Sequence, residues 1–262
     1  MGGKTKLAPF IVSLIPKHKY YCEIFGGSGS VLFRKPKLIS DHEIYNDINS
    51  ELVNLFVQVK NHSEELIAKA FWLPYSRELF KKYIALDPTG LDNTERAVRF
   101  WYCLQSSFSA QLGGFAAGPN KKPPWHTQAI NNLKDIRKRL DGVLIENLDF
   151  QECIEKYDTP ETFFYLDPPY FVADDSKYYQ FVFKEADHLR LKSLCQSMKG
   201  KFILSYENDV SVREFYKEFY IEETPEVDVS SSNKSEKDIV RELVISNFKM
   251  KIINGTKTLF DL

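Results

Sequence analysis

Short apolar and aromatic runs, each closed by polar or turn-forming residues, recur along the chain and predict β-strands. These runs lie at residues 20–25, 42–46, 143–145, 163–166 and 201–206, with longer extended runs at 219–229 and 240–248. From residue 51 to residue 80 the apolar side chains instead recur at helical spacing, beginning with Leu52, Leu55 and Phe56. A further helix is predicted over residues 187–198.

The order of these elements predicts an α/β fold with a Rossmann-like sheet, interrupted by a mainly helical insertion. We assign residues 1–54 and 141–262 to the domain that contains the sheet, and residues 55–140 to the inserted helical domain. The polar connector at residues 230–238 is predicted to be mobile.

A glycine-rich turn, Gly26-Gly27-Ser28-Gly29-Ser30, follows the first predicted strand, and a helix is predicted to begin at residues 31–33. This arrangement is typical of the first βα turn of a nucleotide-binding sheet, where glycines let a ligand approach the backbone. Leu32 takes the place of the third glycine in the dinucleotide fingerprint, which favours a nucleoside ligand without phosphates. Asp47 ends the second strand about twenty residues after the glycines, where an acidic residue typically binds ribose hydroxyls.

The run at residues 163–166 leads directly into Asp167-Pro168-Pro169-Tyr170. Because the ligand crevice of an open α/β sheet lies at the carboxyl ends of its strands, Asp167 and Tyr170 are predicted to lie there. The prolines have a fixed φ and no N–H, so they hold the carbonyls of Asp167 and Pro168 in fixed directions. The alternative for this tetrapeptide is a simple turn.

The chain has 262 residues, of which 43% are hydrophobic and 27% charged, and a net charge of −1. This composition is that of an ordinary soluble protein, and any surface that binds nucleic acid must be a local patch. The four cysteines are scattered, which argues against a disulfide framework and a zinc site and predicts a reducing compartment, the cytoplasm. No membrane span or signal peptide is predicted.

The densest basic cluster comes late in the helical segment, after a loop of small residues and aromatic side chains at 106–120. It consists of Lys121, Lys122, Lys134, Arg137, Lys138 and Arg139. We interpret the cluster as a phosphate-binding surface and the loop as an element that enters a groove of DNA, where the amide of Gln111 can pair with an adenine edge. A solvated helix face and a plain surface loop are the alternatives.

Together these features resemble the Dam-type DNA adenine-N6 methyltransferases over nearly the whole chain. Gly2-Gly3-Lys4 is similar to the first motif of that family, and residues 23–30 to its cofactor loop. Residues 45–49 resemble its ribose motif, and residues 167–170 its catalytic tetrapeptide. The order of the motifs matches the alpha arrangement, in which the segment between the cofactor loop and the tetrapeptide is the target-recognition domain.

The resemblance implies that the enzyme transfers a methyl group from S-adenosylmethionine to the N6 amine of a flipped-out adenine in double-stranded DNA, without a metal. The implied cofactor-binding residues are Lys4, Glu23, Phe25, Gly26, Gly27, Ser28, Gly29, Ser30, Asp47, Ile48, Asp149, Phe150 and Asp167. The implied catalytic residues are Asp167, Pro168, Pro169 and Tyr170.

The sequence is also compatible with other functions. Methylation of RNA or of a protein amide is one alternative, although a tetrapeptide beginning with Asn is more usual there. A catalytically silent DNA-binding regulator is another, and an NAD-dependent dehydrogenase is disfavoured by Leu32. A cognate restriction enzyme is a possible partner. The apolar tail at residues 258–262 resembles peptides that dock into a bacterial sliding clamp, with a disordered end or a packed strap as the alternatives.

Overall fold

The computed structural model describes residues 3–107, 112, 114–117, 126–170, 183–228 and 239–251. Its helices and strands are, in chain order, α1 (Gly3–Leu14), β1 (Tyr20–Glu23), β2 (His42–Asn46), α2 (Ser50–Asn61), α3 (Ser63–Phe71), α4 (Arg77–Ala85), α5 (Asn93–Ser106), α6 (His126–Leu140), β3 (Val143–Glu146), α7 (Phe150–Tyr157), β4 (Thr162–Leu166), α8 (Glu185–Ser197), β5 (Lys201–Glu207), α9 (Val210–Phe215), β6 (Tyr220–Glu223), β7 (Val227–Asp228), β8 (Ile239–Val240) and β9 (Glu242–Ser246). No helix in these ranges is both long and apolar enough to cross a membrane.

The chain divides into two compact units, one of residues 49–147 and the other of residues 2–48 with 148–262. The first unit extends beyond the predicted insertion, 55–140, at both ends. The reason is visible in α2, which begins at its N-cap Asn49 and buries Leu52 and Phe56. A boundary after residue 54 would cut this helix in two.

The second unit contains a mixed sheet, and the strands that belong to this unit lie in the order β2-β1-β4-β5-β9-β6. The first four of these strands are parallel, and β9 runs antiparallel to both of its neighbours, β5 and β6. β2, the next strand in the chain, pairs with one side of β1, and the later strand β4 pairs with its other side. The strand order therefore reverses between β1 and β4. Ligands of such sheets bind at the carboxyl ends of the strands beside this switch point.

One face of this sheet carries the apolar core of the unit. Cys22, Ile44 and Phe164 lie in register on adjacent strands, and they pack with buried residues of α7 and α8 such as Ile154 and Leu191. Every residue of β4 is buried, as expected for a central strand of a parallel sheet covered on both faces. The predicted α/β fold class is therefore confirmed.

The helix predicted to begin at residues 31–33 does not form. One helical turn is present, with the N–H of Phe33 2.8 Å from the carbonyl oxygen of Gly29 and that of Lys35 2.9 Å from the carbonyl oxygen of Val31. Pro36 then ends it, because a proline disfavours the helical conformation in the preceding residue and has no N–H to donate. Only a short 3₁₀ turn follows, at Lys37–Ile39.

Candidate active site

The glycine turn after β1 has one crowded and one open position. A Cβ on Gly26 would lie 2.2 Å from the ring of Tyr45, whereas a Cβ on Gly27 would meet no atom within 4 Å. Gly27 and Gly29 have φ values of 50° and 68°, a region in which residues with a side chain are strained. The turn therefore packs closely on β2 and leaves open space beside the backbone of Gly27.

Asp47 lies directly after β2 and is held against this turn. Its Oδ2 accepts a hydrogen bond from the N–H of Gly27 at 2.7 Å, and the hydroxyl of Tyr45 donates to the carbonyl of Gly27 at 2.6 Å. The amide of buried Asn46 donates to the carbonyl of Ile24 at 2.9 Å. These bonds place the half-buried Asp47 carboxylate beside the open position of the turn.

Asp149 has two structural partners at the start of α7. It caps the helix by accepting from the N–H of Gln151 at 2.9 Å, and Arg190 donates to its two oxygens at 3.1 and 3.0 Å. The same guanidinium lies 4.1 Å from the ring centroid of Phe150. Phe150 in turn contacts Phe25 at a centroid distance of 5.6 Å, so two of the predicted cofactor residues form one apolar wall.

Other residues of the cofactor-loop prediction have local roles. Glu23 is buried and accepts from the hydroxyl of Tyr21 at 2.7 Å and the N–H of Leu32 at 2.8 Å. The hydroxyls of Ser28 and Ser30 are 2.7 Å apart. Ile48 is exposed. Glu23 thus stabilises the backbone of the turn from inside.

Asp167 follows β4 and belongs to a cluster formed by residues from distant parts of the chain. The Nζ of Lys4, on α1, lies 3.0 Å from Oδ1 of Asp167 and donates to the hydroxyl of Tyr170 at 2.7 Å. It also donates to the carboxylate of Glu242, at the start of β9. The structure therefore brings together Lys4, Asp167 and Tyr170.

The ionisation of this cluster is perturbed. Burial raises the pKa of Asp167 to about 6, and the negative charge of Glu242 adds to the rise while Lys4 opposes it. Burial acts to lower the pKa of Lys4, but the two carboxylates raise it overall. Burial and the nearby carboxylates raise the pKa of Tyr170. Lys4 is thus a fixed cation, whereas Asp167 titrates in the weakly acidic range.

Glu242 is absent from the sequence-based set of site residues. A signal was available, because a glutamate followed by Leu243, Val244 and Ile245 stands within an apolar strand. Carboxylates are rarely buried unless they are paired. The partner, Lys4, lies 238 residues earlier, and no local pattern connects the two.

The predicted DNA-binding residues are only partly described. Gln111, Lys121 and Lys122 lie outside the described residues. Lys134, Arg137 and Lys138 are exposed on α6, and they line an open groove of about 680 Å³ that is also lined by residues 61–65 and Ile67.

Arg139 requires a correction, because it is only 8% exposed. It lies two residues after Arg137, which places it on another side of the helix, and it is buried like Leu140 and Leu133. We therefore limit the exposed basic surface to Lys134, Arg137 and Lys138.

The sheet order, the glycine turn after β1 and the Asp-Pro-Pro-Tyr segment after β4 define the class of protein as a Rossmann-like methyltransferase. Residues 1–230 match the model of the D12 class N6 adenine-specific DNA methyltransferases. The chain belongs to this family.

Two type II methyltransferases agree with this assignment. The type II methyltransferase M1.LlaDCHI of Lactococcus lactis subsp. cremoris is 27% identical over 94% of this chain and 93% of its own length. The type II methyltransferase M.MjaIII of Methanocaldococcus jannaschii is 26% identical over 94% of this chain and 96% of its own length. A crystal structure described as that of an RNA methyltransferase from Pyrococcus horikoshii covers 92% of this chain and 81% of its own, with a TM-score of 0.41 and 10% identity.

Proposed function

We propose that this DNA adenine methyltransferase uses S-adenosylmethionine to methylate the N6 amine of an adenine flipped out of duplex DNA, with Asp167 as its main catalytic residue. The observation that carries the proposal is the position of the Asp167 carboxylate, at the carboxyl end of β4 and 3.0 Å from the Nζ of Lys4. Family membership supports the adenine substrate, and the switch point of the sheet supports the place of the cofactor.

The groups around the glycine turn fit a nucleoside cofactor. Open space beside Gly27 lets a ligand approach the backbone, and the Asp47 carboxylate can accept hydrogen bonds from ribose hydroxyls. The ring of Phe25, packed against Phe150, offers an apolar surface to a purine. When bound, S-adenosylmethionine supplies a methyl group that is activated by its sulfonium charge.

Replacing Asp47 by Ala is expected to weaken cofactor binding by about 1.5 to 3 kcal/mol, because a hydrogen bond to a charged group is lost. Isothermal titration calorimetry with S-adenosylmethionine measures this change. Asp41→Ala is the matched control, since Asp41 is exposed just before the same strand. Equal affinities of the Asp47 variant and the wild type would refute the assignment.

The exocyclic amine of adenine is a poor nucleophile, and the protein has to align it with the methyl group that it attacks. The lone pair of an exocyclic adenine amine is delocalised into the ring, and acceptors on its two N–H groups favour a pyramidal nitrogen. The carboxylate of Asp167 and the carbonyl of Pro168 are the acceptors we assign. The ring of Tyr170 can stack on the extruded base, and alignment with charge stabilisation then accounts for most of the rate.

A direct test uses purified protein, S-adenosylmethionine and unmethylated genomic DNA, with mass spectrometry of the nucleosides. We expect N6-methyladenine in duplex DNA and none in RNA or protein. Once methylated positions identify the recognition sequence, 2-aminopurine at the target position reports extrusion by a rise in fluorescence. Product in RNA alone would favour the RNA alternative.

We propose residues 49–147 as the target-recognition domain, with Lys134, Arg137 and Lys138 on DNA phosphates. Their exposure on one helix and the open groove beside them support this role, since phosphate contacts require cations at the surface. The loop that contains Gln111 is proposed to read bases.

Replacing Lys134 and Arg137 together by Ala is expected to weaken binding to all duplexes alike. Each lost phosphate contact lowers the slope of log K against log salt by roughly 0.9. Fluorescence anisotropy at several salt concentrations, with cognate and scrambled duplexes, measures the slope. Lys81→Ala with Lys82→Ala is the control, because these exposed lysines belong to another helix, α4. An unchanged slope would mean that Lys134 and Arg137 do not contact DNA phosphates.

Two partners remain proposals. The first is a cognate restriction enzyme that cuts the same sequence. The proposed clamp-binding tail, residues 258–262, lies outside the described residues.

A further inference from the structure

Glu242 is a buried carboxylate within the candidate active site that no motif includes. It is 7% exposed and begins β9, which lies between β5 and β6. Its backbone N–H donates to the hydroxyl of Thr224 at 2.9 Å, which fixes the start of the strand. Its side chain accepts a hydrogen bond from the ammonium of Lys4.

The cluster has one cationic side chain, Lys4, and two carboxylates that contact it. Lys4 contacts two carboxylates, those of Asp167 and Glu242, so one half-buried cation is shared between two anions. A single ion pair with Asp167 would have been enough to neutralise Lys4. A second buried carboxylate is costly unless it has a partner, and it raises the pKa of Asp167.

The shared cation matters when substrate arrives. Asp167 has to turn an oxygen toward the amine, and its contact with Lys4 then weakens. If Asp167 were its sole counter-ion, the half-buried Lys4 would either have to move when Asp167 turns or continue to bind the Asp167 oxygen. Glu242 removes this conflict, because it holds the ammonium from the side of β9.

We propose that Glu242 is a positioning residue for methyl transfer, which anchors Lys4 so that the Asp167 carboxylate is available to the target amine. This proposal rests on the proposed role of Asp167. Lys4 also donates to the hydroxyl of Tyr170 at 2.7 Å, so the same anchor fixes the ring assigned to stack on the base.

Several titratable groups face Asp167, and of these Lys4 and Glu242 shift its pKa. Lys4 approaches from α1, Tyr165 and Tyr170 belong to β4 and the segment after it, and Glu242 approaches from β9. Glu207, on β5, is the register partner of Glu242. Removing the charge of Glu242 removes a neighbour that raises the pKa of Asp167 and leaves Lys4 to Asp167 alone, so both effects lower that pKa.

The test is the pH dependence of single-turnover methylation by Glu242→Gln. In the wild type, the rate is expected to fall as pH drops through about 6, where Asp167 becomes protonated. In the variant, we expect the acid limb to move to lower pH by about one unit, and the plateau rate to fall about tenfold because Lys4 now competes for Asp167. A purely structural role would lower the melting temperature without moving the acid limb.

Two further variants complete the design. Glu242→Asp keeps the charge with a shorter reach, so its acid limb should stay in place while its plateau falls. Glu222→Gln is the matched control, because Glu222 is exposed on the adjacent strand β6. A wild-type profile for Glu242→Gln would overturn the proposal. If that variant does not fold, a wild-type plateau for Glu242→Asp would do the same.

A parallel measurement distinguishes a failure of the inference about Glu242 from a failure of the proposed role of Asp167. Asp167→Ala is measured in parallel with the same DNA. If Asp167→Ala still methylates DNA at the wild-type rate, the catalytic role of Asp167 is wrong and the role of Glu242 falls with it. If Asp167→Ala is inactive and Glu242→Gln is unchanged, only the inference about Glu242 fails.

Discussion

Asp167→Ala is expected to lower the rate of adenine methylation by about 10³-fold while duplex DNA is still bound. The expected size follows from the loss of a preorganised group that acts on charge developing in the transition state. DNA binding should persist, because the phosphate contacts we propose lie on α6 and not on the tetrapeptide. The variant should therefore lower the catalytic rate constant more than the affinity.

Single-turnover methylation and anisotropy binding, measured on the same preparation, test this separation. Asp167→Asn adds a useful comparison, because it keeps one acceptor oxygen and removes the charge, so its rate should lie between that of Asp167→Ala and the wild type. Asp41→Asn serves as the control for an exposed carboxylate. Near-normal turnover by Asp167→Ala would mean that another group aligns the amine.

Gly26→Ala is expected to damage both stability and cofactor binding. The added Cβ would lie 2.2 Å from the Tyr45 ring, and that ring cannot easily move because its hydroxyl donates to the Gly27 carbonyl at 2.6 Å. Crowding of this kind typically costs about 1 to 3 kcal/mol. Relief requires a shift of the turn, which would also displace the Gly27 N–H from Asp47.

Thermal unfolding with and without S-adenosylmethionine measures both effects. The variant should melt at a lower temperature and gain less stability from the cofactor than the wild type, because a ligand stabilises the folded state by RT ln(1 + [L]/Kd) and weaker binding gives a smaller gain. Gly90→Ala is the matched control, since a Cβ there meets no atom within 4 Å. Equal behaviour of the two variants would show that the turn tolerates a side chain.

The amino-acid sequence by itself determined the local elements and their class. The strand predicted at residues 42–46 matches β2, and the runs near residues 20, 163 and 201 match β1, β4 and β5. Such strands are readable because they are short, apolar and closed by turn residues. The glycine turn and the Asp-Pro-Pro-Tyr segment were also recognisable, because glycine and proline set the backbone conformation at their own positions in the sequence.

Tertiary structure decided how distant residues meet. Glu242 reaches Lys4 only because the start of β9 and the start of α1 lie side by side in the folded unit, and no local signal in the sequence predicts this. The burial of Arg139 depends on which side of α6 packs against its own unit. The helix that does not form after the glycine turn did have a local signal, because Pro36 stands in the sequence where the helical turn ends. Side-chain charge and spacing indicate what a residue can do, whereas burial and partners, which arise only when the chain packs, decide what it does.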